Sequence, residues 1–418
     1  MNILKNFNLY FINLIIASII PFLIWGPFFP DLIISISALF FLFYVFKNRN
    51  FYFFFNKTLI IFFIFCVYCI LISLFVAEDR MMSFESSLFY FRIGLFSCFI
   101  WYLIEQNKNI LTFFYYSLIL CFSALVIDGY VQYFTGFNLS GFRLSSNIRV
   151  SSFFGDELIM GSYLSRLFPL LFALFLVKKK QKFEIYFIGL LFILVDILIF
   201  LSAERTAFFF LNLSTIFIII LIKEYQKFRL ITFIIAILGI FILSLNSQNL
   251  SNRMFIDPAK NIGFVESVKK PIFFSAFHDS HYRTAYNMFK DKPLFGHGPK
   301  MFRIKCKNKK FATGVMPCST HPHNFYLQLL AETGIIGFLF LFSSLSYILI
   351  VSLKQFKSII LQKKRHLTDY QVCLLAGLFI TVWPLSPNGN FFNNWLMIVY
   401  SLPVGFYLQS IYSKKLLK

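Results

Sequence analysis

Five of the six histidines lie between residues 248 and 327: His278, His281, His297, His321 and His323. The densest run, Cys318-Ser319-Thr320-His321-Pro322-His323-Asn324, feeds directly into an apolar segment and on to Glu332-Thr333-Gly334. A histidine that is wet yet close to a membrane surface titrates near neutrality, which suits a general base. His321 and His323 are therefore candidate catalytic bases. From spacing alone they are equally well read as ordinary polar loop residues. Asn324 or Thr320 can cap the helix that follows, and Pro322 suits its first turn. The pairs His278-x-x-His281 and His321-x-His323 also admit zinc. No Glu follows in the helical pattern of zinc peptidases and no Cys pair has ligand spacing, so no metal is expected. Cys66 and Cys69 sit inside an apolar segment and read as packing.

Arginines supply the second kind of chemistry. In Ser202-Ala203-Glu204-Arg205-Thr206-Ala207-Phe208, hardly any loop separates two apolar runs, so Arg205 is fixed at the lip of the bilayer. A planar fork of donors there suits a phosphate at headgroup height. The plainer readings are an anchor to lipid phosphates or a pair with Glu204. His281-Tyr282-Arg283-Thr284-Ala285 offers Arg283 as a second such cation. Arg92, Asp128, Arg166 and Asp196 fall within apolar segments, where charges are functional candidates by default. Pairing among themselves to hold a bundle together is the simpler account.

The elements that must position these residues are plain. Of 418 residues, 58% are hydrophobic, 21% aromatic and only 14% charged. The apolar residues come in blocks of about 20, the length that crosses a bilayer. This excludes a soluble enzyme, a disordered chain and a disulfide-rich secreted module. An all-α polytopic membrane protein follows, because lipid offers no partner to an unpaired backbone amide. Twelve transmembrane helices are expected near 8–27, 29–46, 58–76, 86–104, 110–134, 158–177, 183–201, 207–222, 230–247, 328–353, 368–384 and 395–412. The start, Met1 to Phe22, lacks a small-residue cleavage site and reads as an uncleaved first span.

With both termini inside, 20 Lys and Arg face the cytoplasm and only Arg80, Arg143, Arg149 and Arg205 occupy the short outer loops. That asymmetry sets the orientation. The large loop, about 248–327, is then outside. Within it, Glu266 to Met288 can form amphipathic helices lying on the membrane surface. No internal repeat of the kind secondary transporters carry is found.

These residues resemble the O-antigen ligase and polymerase family of bacterial envelope polysaccharide enzymes. The resemblance rests on four features in order, across residues 140 to 350. They are Arg149-Val150-Ser151-Ser152-Phe153-Phe154-Gly155-Asp156 with Gly161-Ser162-Tyr163-Leu164 after it, the Ala203-to-Ala207 turn, the long outer loop, and His321-Pro322-His323-Asn324 leading into Leu327 and Glu332-Thr333-Gly334. Gly296-His297-Gly298-Pro299 adds a glycine turn seen before the His motif. The resemblance implies a core at 135–353 flanked by membrane helices at 1–134 and 354–418. It also implies a metal-independent glycosyltransferase, with no cofactor, in the bacterial inner membrane and with its active site in the periplasm. The donor would be an undecaprenyl-diphosphate-linked glycan and the acceptor a lipid A core or another glycan, with no nucleic acid as partner. The catalytic His carries over onto His323, less well onto His321. The two diphosphate-binding Arg carry over onto Arg205 and, less securely, Arg283.

A good leaving group needs no catalytic acid. A neutral His can activate the acceptor hydroxyl while two Arg stabilise charge growing on the diphosphate. A polymerase, a protein O-oligosaccharyltransferase and a non-enzymatic flippase of lipid-linked sugars are the alternatives. Cys306 and Cys318 are the only cysteines outside the expected spans, and a periplasmic loop is oxidising. A disulfide between them would brace the segment just before His321 and His323.

Overall fold

The protein was analysed as a computed structural model, which describes residues 2–178, 180–262 and 274–413, with side chains from residue 9 onward. The first group of helices is α1 (Asn2–Ala17), α2 (Ile19–Trp25), α3 (Phe28–Asn48), α4 (Lys57–Phe75), α5 (Arg80–Leu88), α6 (Phe91–Gln106) and α7 (Asn109–Thr135). Next come α8 (Met160–Val177), α9 (Lys182–Leu201), α10 (Arg205–Leu221) and α11 (Gln226–Asn246). The long connection carries α12 (Gln248–Ser251), α13 (Asp257–Ile262), α14 (Ala276–Asp291) and α15 (Phe302–Lys305). The chain ends with α16 (Phe325–Ile360), α17 (Asp369–Thr381) and α18 (Asn394–Tyr412).

The fold is an all-α polytopic membrane protein. Among the described residues, nine helical segments are long and apolar enough to cross a membrane. Three shorter apolar helices, Leu9–Trp25, Arg205–Leu221 and Asp369–Thr381, fall at the remaining expected positions. Three boundaries differ from expectation, the first being the helix expected at 328–353, which runs from Phe325 to Ile360. The segment expected at 86–104 begins at Asp79, whose side chain caps α5 by accepting from the Met82 amide at 3.0 Å. The helix expected from 230 begins at Gln226, which carries Arg229 into the bundle.

Buried α8 is the hub, packed by α7, α9, α10, α17 and α18. The charges inside the bundle are satisfied locally, as buried charge requires. Arg229 holds Asp196 in a fork at 2.8 and 3.1 Å and donates to Thr215 at 2.7 Å, joining α9, α10 and α11. Arg92 holds Asp31 at 2.5 Å between α6 and α3. Asp128 accepts from the Leu139 amide at 2.7 Å and the Ser152 hydroxyl at 2.6 Å, folding the 138–152 loop over the end of α7. Arg166 is the exception. Among the described residues no carboxylate pairs with it. It donates to the Ile380 carbonyl at 3.0 Å, to Thr381 at 3.2 Å and to Asn388 at 3.0 Å, with Phe210 and Tyr400 against its guanidinium.

The loop side of the bundle carries a compact cap. The part of the expected amphipathic stretch at 263–273 lies outside the described residues. Its C-terminal part, α14, buries its apolar face on protein, since α14 packs against α16. Ala285 and Met288 of α14 join Phe302, Cys306, Phe311 and Ala331 in a second small core. Cys306 and Cys318 are bonded within it, their Cα atoms 5.1 Å apart.

Candidate functional site

The site forms where this cap meets a break in α16. Gly334 has φ +65° inside the helix, so the carbonyls one turn before it lose their regular partners. The segment after α14 supplies new ones. The His297 amide donates to the Ala331 carbonyl at 3.0 Å and the Gly298 amide to Glu332 at 2.8 Å. In return the Ile335 amide donates to the Pro293 carbonyl at 2.9 Å. Close approach explains two of the glycines: a Cβ on Gly296 would meet the Glu332 carbonyl carbon at 2.5 Å, and one on Gly334 would meet the Leu294 oxygen at 2.2 Å. The glycine turn and the Glu-Thr-Gly run are one structural joint. His297 belongs to it, buried with Nε2 3.1 Å from the Met288 carbonyl.

This joint fixes the first turns of α16, and Asn324 starts them. Its Oδ1 accepts from the Tyr326 and Leu327 amides at 3.0 and 3.1 Å. Its Nδ2 donates to the Pro384 carbonyl at 2.8 Å, which draws the segment between α17 and α18 underneath. The preceding residue, His323, sits at φ +57°, a conformation seldom adopted without constraint. The constraint is visible: its carbonyl accepts from the Asn388 amide at 2.8 Å and from the Tyr282 hydroxyl at 3.5 Å.

Four imidazoles meet there. The His323 ring centroid lies 4.1 Å from His321 and 5.3 Å from both His278 and His281. His278, His281 and Tyr282 project from one face of α14, as residues three and four apart must. Ser275 caps that helix and its hydroxyl lies 2.8 Å from His278 Nδ1. Among the described residues, both His281 nitrogens and His321 Nε2 are buried with no well-formed hydrogen bond, though the Cys318 and Asn388 backbones lie near His281 and His321. Burial pushes His321 down to about 3, and the charge of His323 adds to it. Burial pushes His323 down to about 4, with His278 and then His281 adding to it. His278 and His281 are lowered too, chiefly by burial. Near neutral pH the cluster is uncharged and able to accept a proton. Among the described residues no group of three or more His, Cys, Asp or Glu has the arrangement to hold a metal ion.

Arg205 is the first residue of α10. Its Nε donates to the Arg253 carbonyl at 2.6 Å, its Nη2 faces Asp257 Oδ2 at 3.6 Å, and its side chain is 37% exposed. Its charge is the smallest of the causes that lower His278, after burial and His281, so it lies within electrostatic range of the cluster. Arg283 is not brought there. It lies two residues after His281, hence on another face of α14. There it pairs with Asp279 at 2.8 Å and is 62% exposed.

The loop side thus joins a neutral imidazole cluster to a fixed guanidinium at the lip of an apolar bundle. Residues 188–342, which hold Arg205 and all four clustered histidines, match the family model described as O-antigen ligase. This match supports the resemblance to the O-antigen ligase and polymerase family. No curated protein matches the chain. The O-antigen ligase match begins within α9 and ends within α16, so Arg166 lies before it and Asn388 after it. Members of the O-antigen ligase family are glycosyltransferase-like enzymes of the bacterial inner membrane that act on lipid-linked glycans.

Sequence reasoning missed the roles of His278 and His281 beside His323. Their three-residue spacing was the available signal, and it suggested only a metal pair. Tyr282 and Asn388 carried no signal, since their contacts run across distant segments.

Proposed function

We propose that the protein is an O-antigen ligase-like glycosyltransferase. It transfers a glycan from an undecaprenyl-diphosphate carrier to an acceptor hydroxyl, that of a lipid A core, on the periplasmic face. His323 takes the hydroxyl proton, the acceptor oxygen bonds to the anomeric carbon, and the bond from that carbon to the diphosphate oxygen breaks. The electron pair leaves with the diphosphate, whose growing charge Arg205 stabilises. His321, against the same ring, takes a supporting part. Arg283 is exposed enough to meet a bulky donor, but Arg205 is supported by its anchoring at the start of α10 and by its charge acting on His278.

The observation that carries this reading is the gathering of the His278, His281 and His321 rings around that of His323. Low pKa values keep the base unprotonated while the site is empty. An arriving diphosphate then raises them, because an anion nearby favours the imidazolium. The reaction asks no metal of these residues.

The test is transfer by His323→Ala in a strain lacking the native gene, with lipopolysaccharide resolved on a gel. Loss of long-chain glycan from the core, at matched membrane expression, is expected. Wild-type ladders would overturn the assignment. A gene deletion that leaves a single repeat on the core would move the reading to a polymerase, and one that removes glycan from proteins alone would move it to an oligosaccharyltransferase.

A further inference from the structure

Two arginines are buried inside the bundle, and they are satisfied in different ways. Arg229 closes on the carboxylate of Asp196, a pair that joins α9 to α11. Arg166 has no such partner among the described residues. Its Nη1 donates to the Ile380 carbonyl at 3.0 Å and to the Thr381 hydroxyl at 3.2 Å, in the last turn of α17. Free carbonyls and the negative end of a helix dipole take the place of a carboxylate there. The ring centroids of Phe210 and Tyr400 lie 4.3 and 3.9 Å from its Cζ, which adds cation–π attraction.

Nη2 completes the set by donating to Asn388 Oδ1 at 3.0 Å. Among the described residues the Asn388 side chain makes no other hydrogen bond, and its Nδ2 is buried without a partner. The main chain of the same residue serves the histidines. Its amide donates to the His323 carbonyl at 2.8 Å, and its backbone lies near the His321 ring. His323 sits at φ +57°, a conformation that persists only where its surroundings hold it. A buried cation without a counter-charge is unfavourable, and joining helices does not require one, as Arg229 shows. What Arg166 adds is a path of two hydrogen bonds from the hub helix α8 to the main chain of His323.

We propose that Arg166 and Asn388 are positioning residues for the transfer reaction: the guanidinium fixes the Asn388 side chain, and the Asn388 amide fixes the His323 main chain. This rests on the reading of His323 as the base. Both residues act through His323, so their loss slows the chemical step and leaves donor binding in place.

The test is steady-state transfer by the purified full chain in nanodiscs, with an undecaprenyl-diphosphate-linked glycan as donor and lipid A core as acceptor. Rates are taken per folded protein, with the melting temperature measured alongside. Arg166→Gln and Asn388→Ala are each expected to lower kcat about ten- to hundredfold, the range for a hydrogen bond to a charged group, with the donor KM within about twofold of wild type. The double variant should lose no more than the worse single one, because both act through one bond. A merely structural role would lower the melting temperature and the yield of folded protein without this pattern. Asn388→Ala leaves Arg166 on its α17 partners, so it decides the matter if Arg166→Gln fails to fold. Wild-type kcat in folded Asn388→Ala, with His323→Ala inactive, overturns the positioning and leaves the base reading intact. Losses that multiply in the double variant, or a raised KM at unchanged kcat, overturn it as well. Wild-type transfer by His323→Ala overturns both.

Discussion

Replacing Asn324 by Ala removes two kinds of bond at once. The Oδ1 cap on the Tyr326 and Leu327 amides is lost, and so are the Nδ2 bonds to the half-buried Pro384 carbonyl and, at 3.4 Å, to the carbonyl of buried Ser386. A lost Asn cap costs about 1 kcal/mol. An acceptor left unpaired in a buried place costs about 1–3 kcal/mol. The sum is roughly 2–4 kcal/mol, and it falls on the residue next to His323. The 382–393 segment keeps other ties, including the Asn388–His323 bond and the bond from the Phe391 amide to Gln328 at 2.9 Å. The loss should therefore appear as a misplaced base rather than as global unfolding. Expressed wholly in the barrier, it slows transfer by roughly thirty- to thousandfold.

The assay is glycan transfer in membrane vesicles at matched expression, with the melting temperature of purified protein alongside. Asn324→Ser restores the cap but not the bond to Pro384, so it should recover part of the rate. Asn324→Asp keeps the cap, loses the donor, and sets a carboxylate beside His323, raising its pKa and moving the acidic limb of the rate profile to higher pH. An Ala variant with wild-type transfer and melting would refute the claim that Asn324 positions the base.

Four further outcomes follow from the same contacts. His321 and His323 titrate at about 3 and about 4 in the folded chain, below the unfolded value of 6.5, so the unfolded state binds more protons between those limits. Melting temperature should be flat above neutral pH and fall as pH drops from about 6.5 toward 4, less steeply in His321→Gln; an identical slope in that variant would contradict the titration. Gly334→Ala forces a side chain onto the Leu294 oxygen at φ +65° and should lower the melting temperature or abolish expression, whereas the exposed Ser343→Ala should not. Thiol labelling of protein denatured without reductant should find Cys306 and Cys318 blocked, and reductant should free both; ready labelling without reductant would show that the bridge is absent. Arg205→Lys should lose most transfer while Arg283→Ala loses less, since Arg283 is engaged by Asp279 on another face of α14; the reverse order would show that Arg283 reaches the donor.

Helix positions were legible in the sequence because bilayer length and backbone satisfaction leave few choices, and Phe28–Asn48 and Asn109–Thr135 lie within a few residues of expectation. The start of α11 was misplaced for a reason: Lys223 to Arg229 read as one basic loop, yet Arg229 has a buried carboxylate to meet in Asp196. His321 and His323 could be singled out because their neighbours carry cap and turn chemistry. Arg283 could not be separated from the other loop cations, because facing depends on how α14 docks. The role of Arg166 depends on backbone carbonyls brought in from far along the chain, and sequence spacing carries no record of those.

The tie from Arg166 through Asn388 to the His323 carbonyl has a bearing on biogenesis. Arg166 enters the membrane early, with α8, but its polar partners lie at the end of α17 and in the segment before α18. Until those last pieces emerge and insert, the arginine has no destination and the base has no support from below. A chain interrupted after α16 would carry every clustered histidine but lack the Asn388 amide that holds the His323 carbonyl and the partners of Arg166.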